Sequence, residues 1–211
     1  MEPFVNEQPH PVEIAFAEAD PDPFRNLERI TLTRLRYTVC YQTTGLSKHL
    51  ENTARFALKL ATHLNFSPRE QETIWFAASV HDIGKIGISP IILQKEGSLT
   101  DQEFSEIQSH TINGHKILDG IEGSIYPTCA DVALSHHERW DGGGYPNGIK
   151  GEEISLAARI VSIADVYDCI TLGRPYRPSQ SHEIAAAELR KCAGDQFDPD
   201  LIEPFLTAVQ P

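Results

Sequence analysis

The chain has 211 residues, of which 40% are hydrophobic, so it is long and apolar enough for one domain with a sizeable core. Its 18 Lys and Arg against 30 Asp and Glu give a net charge of -12, which argues against general nucleic-acid binding and against adhesion to an anionic membrane surface. No apolar stretch approaches the roughly 18 residues of a membrane span, and the N-terminus does not resemble a signal peptide, so we expect a cytoplasmic protein.

The first 23 residues are rich in proline and acidic side chains, and we expect them to form a flexible tail or a linker. From residue 24 onward the pattern is helical. Leu27, Ile30 and Leu35 begin an apolar periodicity that continues through the next helical segment. We therefore predict one folded domain over residues 24–211.

Two capping boxes predict further helix starts. Ser67 with Glu70 opens a helix that we expect to end near Gly84, and Thr100 with Glu103 opens the next one. The predicted apolar side of this second helix carries Phe104, Ile107, Thr111 and Leu118.

The rest of the chain also has helical patterns. We predict helices over residues 128–138, 155–171, 181–192 and 198–209, and a loop in the glycine-rich stretch 141–151. No alternating strand pattern of useful length is present. The predicted fold class is all-α.

Cysteine and histidine usage bears on metal binding. The four cysteines lie far apart without a Cys-x-x-Cys pair, so we interpret each as a small buried apolar residue in a reducing cytoplasm. Nine histidines are an unusual number. The candidate metal ligands, each on a predicted helix or at its end, are His49, His81, Asp82, His110, His136, His137 and Asp165.

The residue types in this set predict a metal centre without proving one. A lone buried histidine is more often a hydrogen-bonded core residue than a ligand, and ligands spread over more than a hundred residues form no short motif. Imidazole with carboxylate suits zinc, iron or manganese, whereas the absence of thiolate counts against a soft-metal site. Five histidines and two aspartates exceed what one four-coordinate ion needs. Two ions roughly 3.5–4 Å apart could clamp a phosphate and activate water.

Four sequence blocks carry a resemblance to a known family. Residues 81–87 (HDIGKIG) resemble the signature of the HD phosphohydrolase superfamily, and residues 136–146 (HHERWDGGGYP) resemble its HD-GYP subfamily. Residues 174–177 (RPYR) and 196–199 (QFDP) match later blocks of that subfamily. The resemblance implies an HD-domain helical bundle with HD-GYP C-terminal helices. It also implies a bacterial cyclic di-GMP phosphodiesterase with two or three metal ions, usually iron or manganese.

The resemblance also implies roles for individual residues. All seven candidate ligands match metal-binding positions, with Asp82 as the bridging carboxylate. Lys85 resembles a lysine near the scissile phosphate, so Asp82 and Lys85 are the candidate catalytic residues. Arg174 and Arg177 match positions that contact substrate phosphates, and Tyr145 lies where the family lines the guanine side of the cleft. The loop 144–146 has been linked in the family to contacts with diguanylate cyclase domains.

The chain departs from the family pattern at two glycines. Gly45 stands where members with three metals have a glutamate, one helical turn before the first ligand histidine. We therefore expect a two-metal centre and the linear product pGpG, with slower onward cleavage to GMP. Gly173 stands where relatives often have an acidic residue, which should alter a loop contact without preventing metal binding.

Two alternatives remain beside a cyclic di-GMP phosphodiesterase. One is a non-catalytic signalling or interaction module with the same fold, although none of the seven core ligands is missing. The other is a phosphodiesterase for another cyclic dinucleotide, such as cyclic GMP-AMP. Turnover of the two cyclic dinucleotides, measured side by side, would separate the second alternative from the main hypothesis.

Overall fold

A computed structural model describes residues 22–41, 45–172 and 179–210. These ranges contain helices, turns and one isolated bridge between Ala193 and Phe197, with no strand among them, which confirms the all-α prediction. The helices are α1 (Pro23–Cys40), α2 (Leu46–His63), α3 (Pro68–Val80), α4 (Pro90–Leu93), α5 (Asp101–Leu118), α6 (Tyr126–Ser135), α7 (Leu156–Thr171), α8 (His182–Lys191) and α9 (Pro199–Val209). Short 3₁₀ segments cover Ile83–Gly87 and Gly151–Glu153. Among the described residues no helix is long and apolar enough to cross a membrane.

Both predicted capping boxes are present. The Ser67 side chain accepts a hydrogen bond from the Glu70 amide, and Thr100 does the same for Glu103, so α3 and α5 begin where the sequence predicts. Helix α3 stops at Val80, before the predicted end near Gly84, because the chain tightens into the 3₁₀ segment that follows. Helix α6 covers Tyr126–Ser135, whereas the prediction was 128–138.

The predicted apolar face of α1 is wrong for Leu27 and Ile30, whereas Leu35 packs against the core. Leu27 and Ile30 are 61% and 58% exposed, and the buried face of the helix carries Leu32 and Val39 together with charged side chains. Arg25 donates a hydrogen bond to Glu72 on α3. A buried ion pair between Arg25 and Glu72 therefore sets the orientation of α1. The spacing of apolar residues in the sequence does not reveal such a pair.

Helix α5 differs from its prediction at one position. Phe104, expected on the apolar side, is 49% exposed, and its ring faces Tyr145 with centroids 6.5 Å apart. The interior side of α5 is formed instead by His110, Thr111, Gly114 and Leu118.

The core lies between α2, α3 and α7, with α6 packed on α3, α5 on α6, and α9 on α2. Trp75, Leu50 and Ile163 are fully buried within it. Helix α5 also packs on the 3₁₀ segment, where a Cβ on Gly84 would lie only 1.9 Å from the His110 carbonyl oxygen. The absence of a side chain at Gly84 thus brings the chain that follows α3 directly against the middle of α5.

Candidate metal centre

The seven candidate ligands come from five helices whose ends and inner faces converge. His49 lies in the first turns of α2, His110 in the middle of α5, and Asp165 in the middle of α7. The adjacent pairs 81–82 and 136–137 follow the last residues of α3 and α6. The structure therefore brings all seven side chains to one place. Two of the groups there that could hold a metal ion are His49, His81 and Asp82, and His110, His136 and His137. Asp165 belongs to a further group that shares His49.

Backbone carbonyls fix the orientation of three of the imidazoles. His81 Nδ1 lies 2.7 Å from the Ala78 oxygen, His110 Nδ1 lies 2.6 Å from the Ile107 oxygen, and His136 Nδ1 lies 2.9 Å from the Val132 oxygen. A carbonyl oxygen only accepts hydrogen bonds, so each Nδ1 must carry the proton and donate. In the neutral rings, Nε2 then carries a lone pair that is available to a metal ion.

Asp82 lies at the centre of this group. Its Oδ1 is 3.4 Å from His110 Nε2 and 4.0 Å from His136 Nε2, and its Oδ2 is 3.5 Å from His81 Nε2. The two Nε2 atoms of His110 and His136 are 3.3 Å apart. Asp82 Oδ1 is buried and accepts no hydrogen bond from the residues that the structure describes. Lone pairs and a bare carboxylate oxygen that face one another at these distances need a cation between them, so this donor set fits a metal ion.

A second cluster lies at the α7 end of the centre. His49 donates from Nδ1 to Asp168 Oδ2 at 2.7 Å, and its Nε2 lies 3.1 Å from Asp165 Oδ1. Asn52 donates a further hydrogen bond to Asp168 at 2.8 Å. Cys169 Sγ lies 3.6 Å from Asp165 Oδ1, and His49, Asp165 and Cys169 form a third group that could hold an ion.

The acid–base properties of the site favour neutral imidazoles opposite ionised carboxylates. Burial lowers the pKa of His110 and His136, and it lowers that of His137 to about 4. Burial raises the pKa of Asp82, but the Lys85 ammonium and the surrounding imidazoles outweigh it and hold that pKa well below its usual range. Metal binding needs deprotonated imidazole and carboxylate, which are the forms that these directions favour at neutral pH.

His49 differs from the other histidines. Burial lowers its pKa, but hydrogen bonds to Asp165 and Asp168 dominate and raise it to about 10. Burial likewise raises the pKa of Asp165, and the His49 hydrogen bond and charge bring it far below its usual value. A proton on His49 Nε2 thus occupies, in the metal-free protein, the position between the ring and Asp165 that a metal ion would take.

The glycine-rich loop is held against the histidine pair. A Cβ on Gly144 would lie 2.5 Å from the Arg139 nitrogen and 2.6 Å from the His137 oxygen, so only glycine permits this approach. The Tyr145 ring then lies on His137, with centroids 4.9 Å apart and an interplanar angle of 33°. Tyr145 is half-buried and lies beside the cluster.

Lys85 lies in the 3₁₀ segment, and its ammonium forms an ion pair with Asp82 Oδ2. Its side chain is 22% exposed, so the ammonium reaches both the carboxylate and the open side of the site. The predicted phosphate contacts Arg174 and Arg177, and the departure at Gly173, lie outside the described residues.

Sequence analysis missed Asp168 and Cys169. Asp168 is 1% exposed and orients His49, and Cys169 belongs to a group that could hold a metal ion. The prediction that every cysteine is buried is wrong for Cys40, Cys169 and Cys192, which are half-buried. Only Cys129 is fully buried. The signal was available in helical spacing, because residues three and four after Asp165 lie on the same face of α7.

Comparison with known proteins places this site in a family. A family model described as HD domain matches residues 35–201. The chain is 40% identical over 179 residues to the cyclic di-GMP phosphodiesterase response regulator RpfG of Xanthomonas campestris pv. campestris, covering 85% of this chain and 47% of that protein. It is 35% identical over 158 residues to the 3'3'-cGAMP-specific phosphodiesterase 2 of Vibrio cholerae, covering 75% of this chain and 30% of that protein. The chain thus spans about half or less of the length of these relatives.

The fold is also similar to that of a solved structure. An HDG"Y"P protein from Bdellovibrio bacteriovorus superposes with a TM-score of 0.62 at 20% identity, covering 81% of this chain and 53% of that chain. At this identity the likeness shows the fold alone. The helical architecture, the His81–Asp82 pair at the centre of the ligand cluster and a family match over most of the chain show that it belongs to the HD domain family, in the HD-GYP group that its motifs predicted.

Proposed function

We propose that the chain is a metal-dependent phosphodiesterase that opens one phosphodiester bond of cyclic di-GMP to give linear pGpG, with slower onward cleavage to GMP. The observation that carries this proposal is the geometry around Asp82, whose buried carboxylate lies between imidazoles that present free Nε2 lone pairs. The relatives named as cyclic di-GMP phosphodiesterases support the choice of substrate.

In this proposal the seven ligands hold two divalent ions, iron or manganese. His110, His136 and His137 would hold one ion, His49, His81 and Asp165 would hold the other, and Asp82 would contribute to both. Two ions at such a site offset the charge of a phosphodiester and activate water for in-line attack. The four free cysteines agree with a reducing compartment, and we place the activity in the cytoplasm.

The protein's own residues have the remaining tasks. Lys85, paired with Asp82 and partly exposed, is positioned to donate a hydrogen bond to a phosphate oxygen at the site. Tyr145 covers His137 and presents an aromatic surface on which a guanine base could stack. Formation of pGpG breaks a P–O3′ bond, so the leaving 3′ oxygen must gain a proton while water supplies the hydroxyl on phosphorus. Arg174 and Arg177 remain the proposed contacts for the substrate phosphates.

A second candidate substrate is 3'3'-cyclic GMP-AMP. It is favoured by the 35% identity to a Vibrio cholerae phosphodiesterase named for that dinucleotide. The metal centre would perform the same bond cleavage on either substrate, so the choice depends on the base-binding side of the cleft.

The non-catalytic alternative uses the same surface differently. In that case the loop 144–146 would dock a partner such as a diguanylate cyclase domain. The backbone of Gly144 is packed against the His137–Arg139 segment, and Tyr145 is turned onto His137, so this loop is tied to the metal centre. We favour a substrate contact for Tyr145 on this ground.

The direct test is turnover of both dinucleotides by protein purified without oxygen, with products separated by chromatography. We expect pGpG from cyclic di-GMP, and we expect Asp82→Asn to reduce the rate by at least about 100-fold, because it removes the bridging charge. Asp119→Asn, an exposed carboxylate at the end of α5, is the matched control and should retain the rate. Faster turnover of cyclic GMP-AMP would favour the second candidate. Metal-loaded protein that binds the dinucleotides and cleaves neither would establish the non-catalytic alternative.

A further inference from the structure

We propose that Cys169 is a metal ligand in this protein: its thiolate joins His49 and Asp165 around the ion at the α7 end of the centre. This inference rests on the metal centre of the proposed function and goes beyond it, because it adds a sulfur donor to a set made only of imidazole and carboxylate. A thiolate favours iron(II), cobalt(II) or zinc over manganese.

Helix α7 places Cys169 in position for this role. Asp165 and Cys169 are four residues apart, so their side chains are neighbours on one helix face. Cys169 Sγ lies 3.6 Å from Asp165 Oδ1. A tetrahedral ion with oxygen about 2.0–2.2 Å and sulfur about 2.3 Å away separates the two ligand atoms by about 3.3–3.7 Å. The existing separation therefore fits a shared ion without a change of backbone.

The third donor is His49, and its free nitrogen faces the same point. Its Nδ1 already donates to Asp168, so Nε2 is the atom that remains for an ion. That Nε2 lies 3.1 Å from Asp165 Oδ1, and the three ligand atoms of the group all lie within 4.8 Å of one another. His49 Nε2 and Asp165 Oδ1 thus lie close to each other and to the Cys169 sulfur, as the ligands of one ion would.

The other cysteines lack this arrangement. Among the residues that the structure describes, the metal-capable groups contain no cysteine except Cys169. Cys129 is fully buried in the core, where burial raises the pKa of its thiol. Cys192 follows α8 and is half-buried like Cys169, which makes it the matched control.

Binding of the ion by Cys169 and His49 releases protons and involves no other chemical change. The Cys169 thiol loses its proton to solvent, the resulting thiolate donates an electron pair to the divalent ion, and no electron transfer is involved. His49 releases its Nε2 proton in the same event. Asp165 is already ionised and releases none.

The test is the absorption spectrum of the 211-residue chain after reconstitution with cobalt(II) alone. We expect a near-ultraviolet thiolate-to-cobalt charge-transfer band in the unmodified protein and in Cys192→Ala. Cys169→Ala and Cys169→Ser should lack the band while they keep the visible cobalt bands of the remaining ligands. Chelator competition should show that one cobalt ion is bound at least about tenfold more weakly in both variants.

Three results would overturn the inference. Cobalt binding without a charge-transfer band in the unmodified protein would remove Cys169 from the ligand set and leave the metal centre standing. Persistence of the band in Cys169→Ala would assign it to another cysteine. Failure to bind cobalt at all would contradict both this inference and the metal centre of the proposed function. Because the first and third results are measured on unmodified protein, misfolding of a variant cannot imitate them. Far-ultraviolet circular dichroism of Cys169→Ala shows whether that variant is folded.

Discussion

Asp168 shows how one buried residue acts on the centre through another. It accepts hydrogen bonds from His49 Nδ1 at 2.7 Å and from Asn52 at 2.8 Å, and so it holds the imidazole with Nε2 toward Asp165. A carboxylate behind a ligating histidine fixes the tautomer and raises the basicity of the ring. We therefore regard Asp168 as a positioning residue for the proposed ligand His49.

Asp168→Asn tests this role. The substitution keeps the shape of the side chain and removes its charge, and we expect metal affinity to fall by about 10–100-fold. Competition with a chelator measures the affinity, and thermal unfolding of the metal-free protein shows whether the fold is retained. The control is Asp119→Asn, whose carboxylate is 66% exposed. Equal metal affinity in Asp168→Asn and the unmodified protein would show that His49 does not need the Asp168 carboxylate to bind metal.

For single residues, what could be predicted from the sequence depended on whether the residue lies in a recognisable motif. Four of the candidate ligands, His81, Asp82, His136 and His137, lie in recognisable sequence blocks, whereas His49, His110 and Asp165 were assigned by their positions relative to the family pattern. Asp168 and Cys169 carry no block of their own, and only the position of Asp165 on an inward-facing helix reveals them. At Gly45 the φ angle of 83° is left-handed, so a glutamate introduced there would be strained in the present backbone conformation.

Among the elements, the contact between the 3₁₀ segment and α5 determines where Asp82 and Lys85 lie. Gly84 and Gly114 face each other across this contact, and a Cβ on Gly84 would meet the backbone of α5 at 1.9 and 2.4 Å. Backbone atoms cannot move aside as a flexible side chain can. The segment that carries Asp82 is therefore held against His110 by the absence of a side chain.

Gly84→Ala is expected to separate these elements. The 3₁₀ segment should shift away from α5 and carry Asp82 with it, which lowers the metal content. The free energy of unfolding, measured by urea denaturation, should fall by about 1–3 kcal/mol. Gly97→Ala is a control for the loss of a glycine, because its Cβ would meet nothing within 4 Å, although its φ of 101° adds local strain. Full metal content in Gly84→Ala would show that the backbone of α5 can move enough to accommodate the added methyl group.

The start of α5 gives a pH-dependent prediction. Hydrogen bonds from Lys95 and from the Thr100 backbone lower the pKa of Glu103 to about 2, from an ordinary value of 4.5. Since the folded-state pKa is lowered, the stabilisation is fully present above pH 4.5 and is lost as the pH falls through about 2.

Glu103→Gln should therefore lower the Tm at pH 7, and the difference from the unmodified protein should shrink steadily as the pH falls below 4.5. Thermal unfolding followed by circular dichroism at a series of pH values measures this. Glu106→Gln, on the exposed side of the same helix, should differ by less than about 0.5 kcal/mol. A Tm difference that is independent of pH would exclude the Glu103 carboxylate as its source.

Helix starts were the most predictable elements because their capping residues interact locally. Ser67 and Thr100 bond to amides three residues away, and the sequence shows both partners. The orientation of α1 depends instead on Arg25 and Glu72, which are 47 residues apart. A pattern of apolar residues cannot detect a buried pair of charges, so Leu27 and Ile30 were assigned to the wrong face.

On the scale of the whole molecule, an acidic chain can bind an anionic substrate because its cationic potential is local. The net charge is -12, yet the donor set at the centre fits metal cations, and Lys85 adds a positive charge beside it. Divalent ions are the largest local charges in such a site and dominate the field there. The helical fold class followed from the sequence because every long periodic segment was helical, whereas the joining of five helices at one centre required the structure.

The most direct test of the account is the metal content of the chain after purification without oxygen and reconstitution with iron or manganese, measured beside Asp82→Asn. If seven ligands form one centre bridged by Asp82, the unmodified protein should hold about two equivalents of metal and the variant clearly fewer. The two proteins should unfold at similar urea concentrations when metal-free, so that the difference reports the site. Metal content near zero in the unmodified, reconstituted protein, or equal content in both proteins, would contradict a centre built around Asp82.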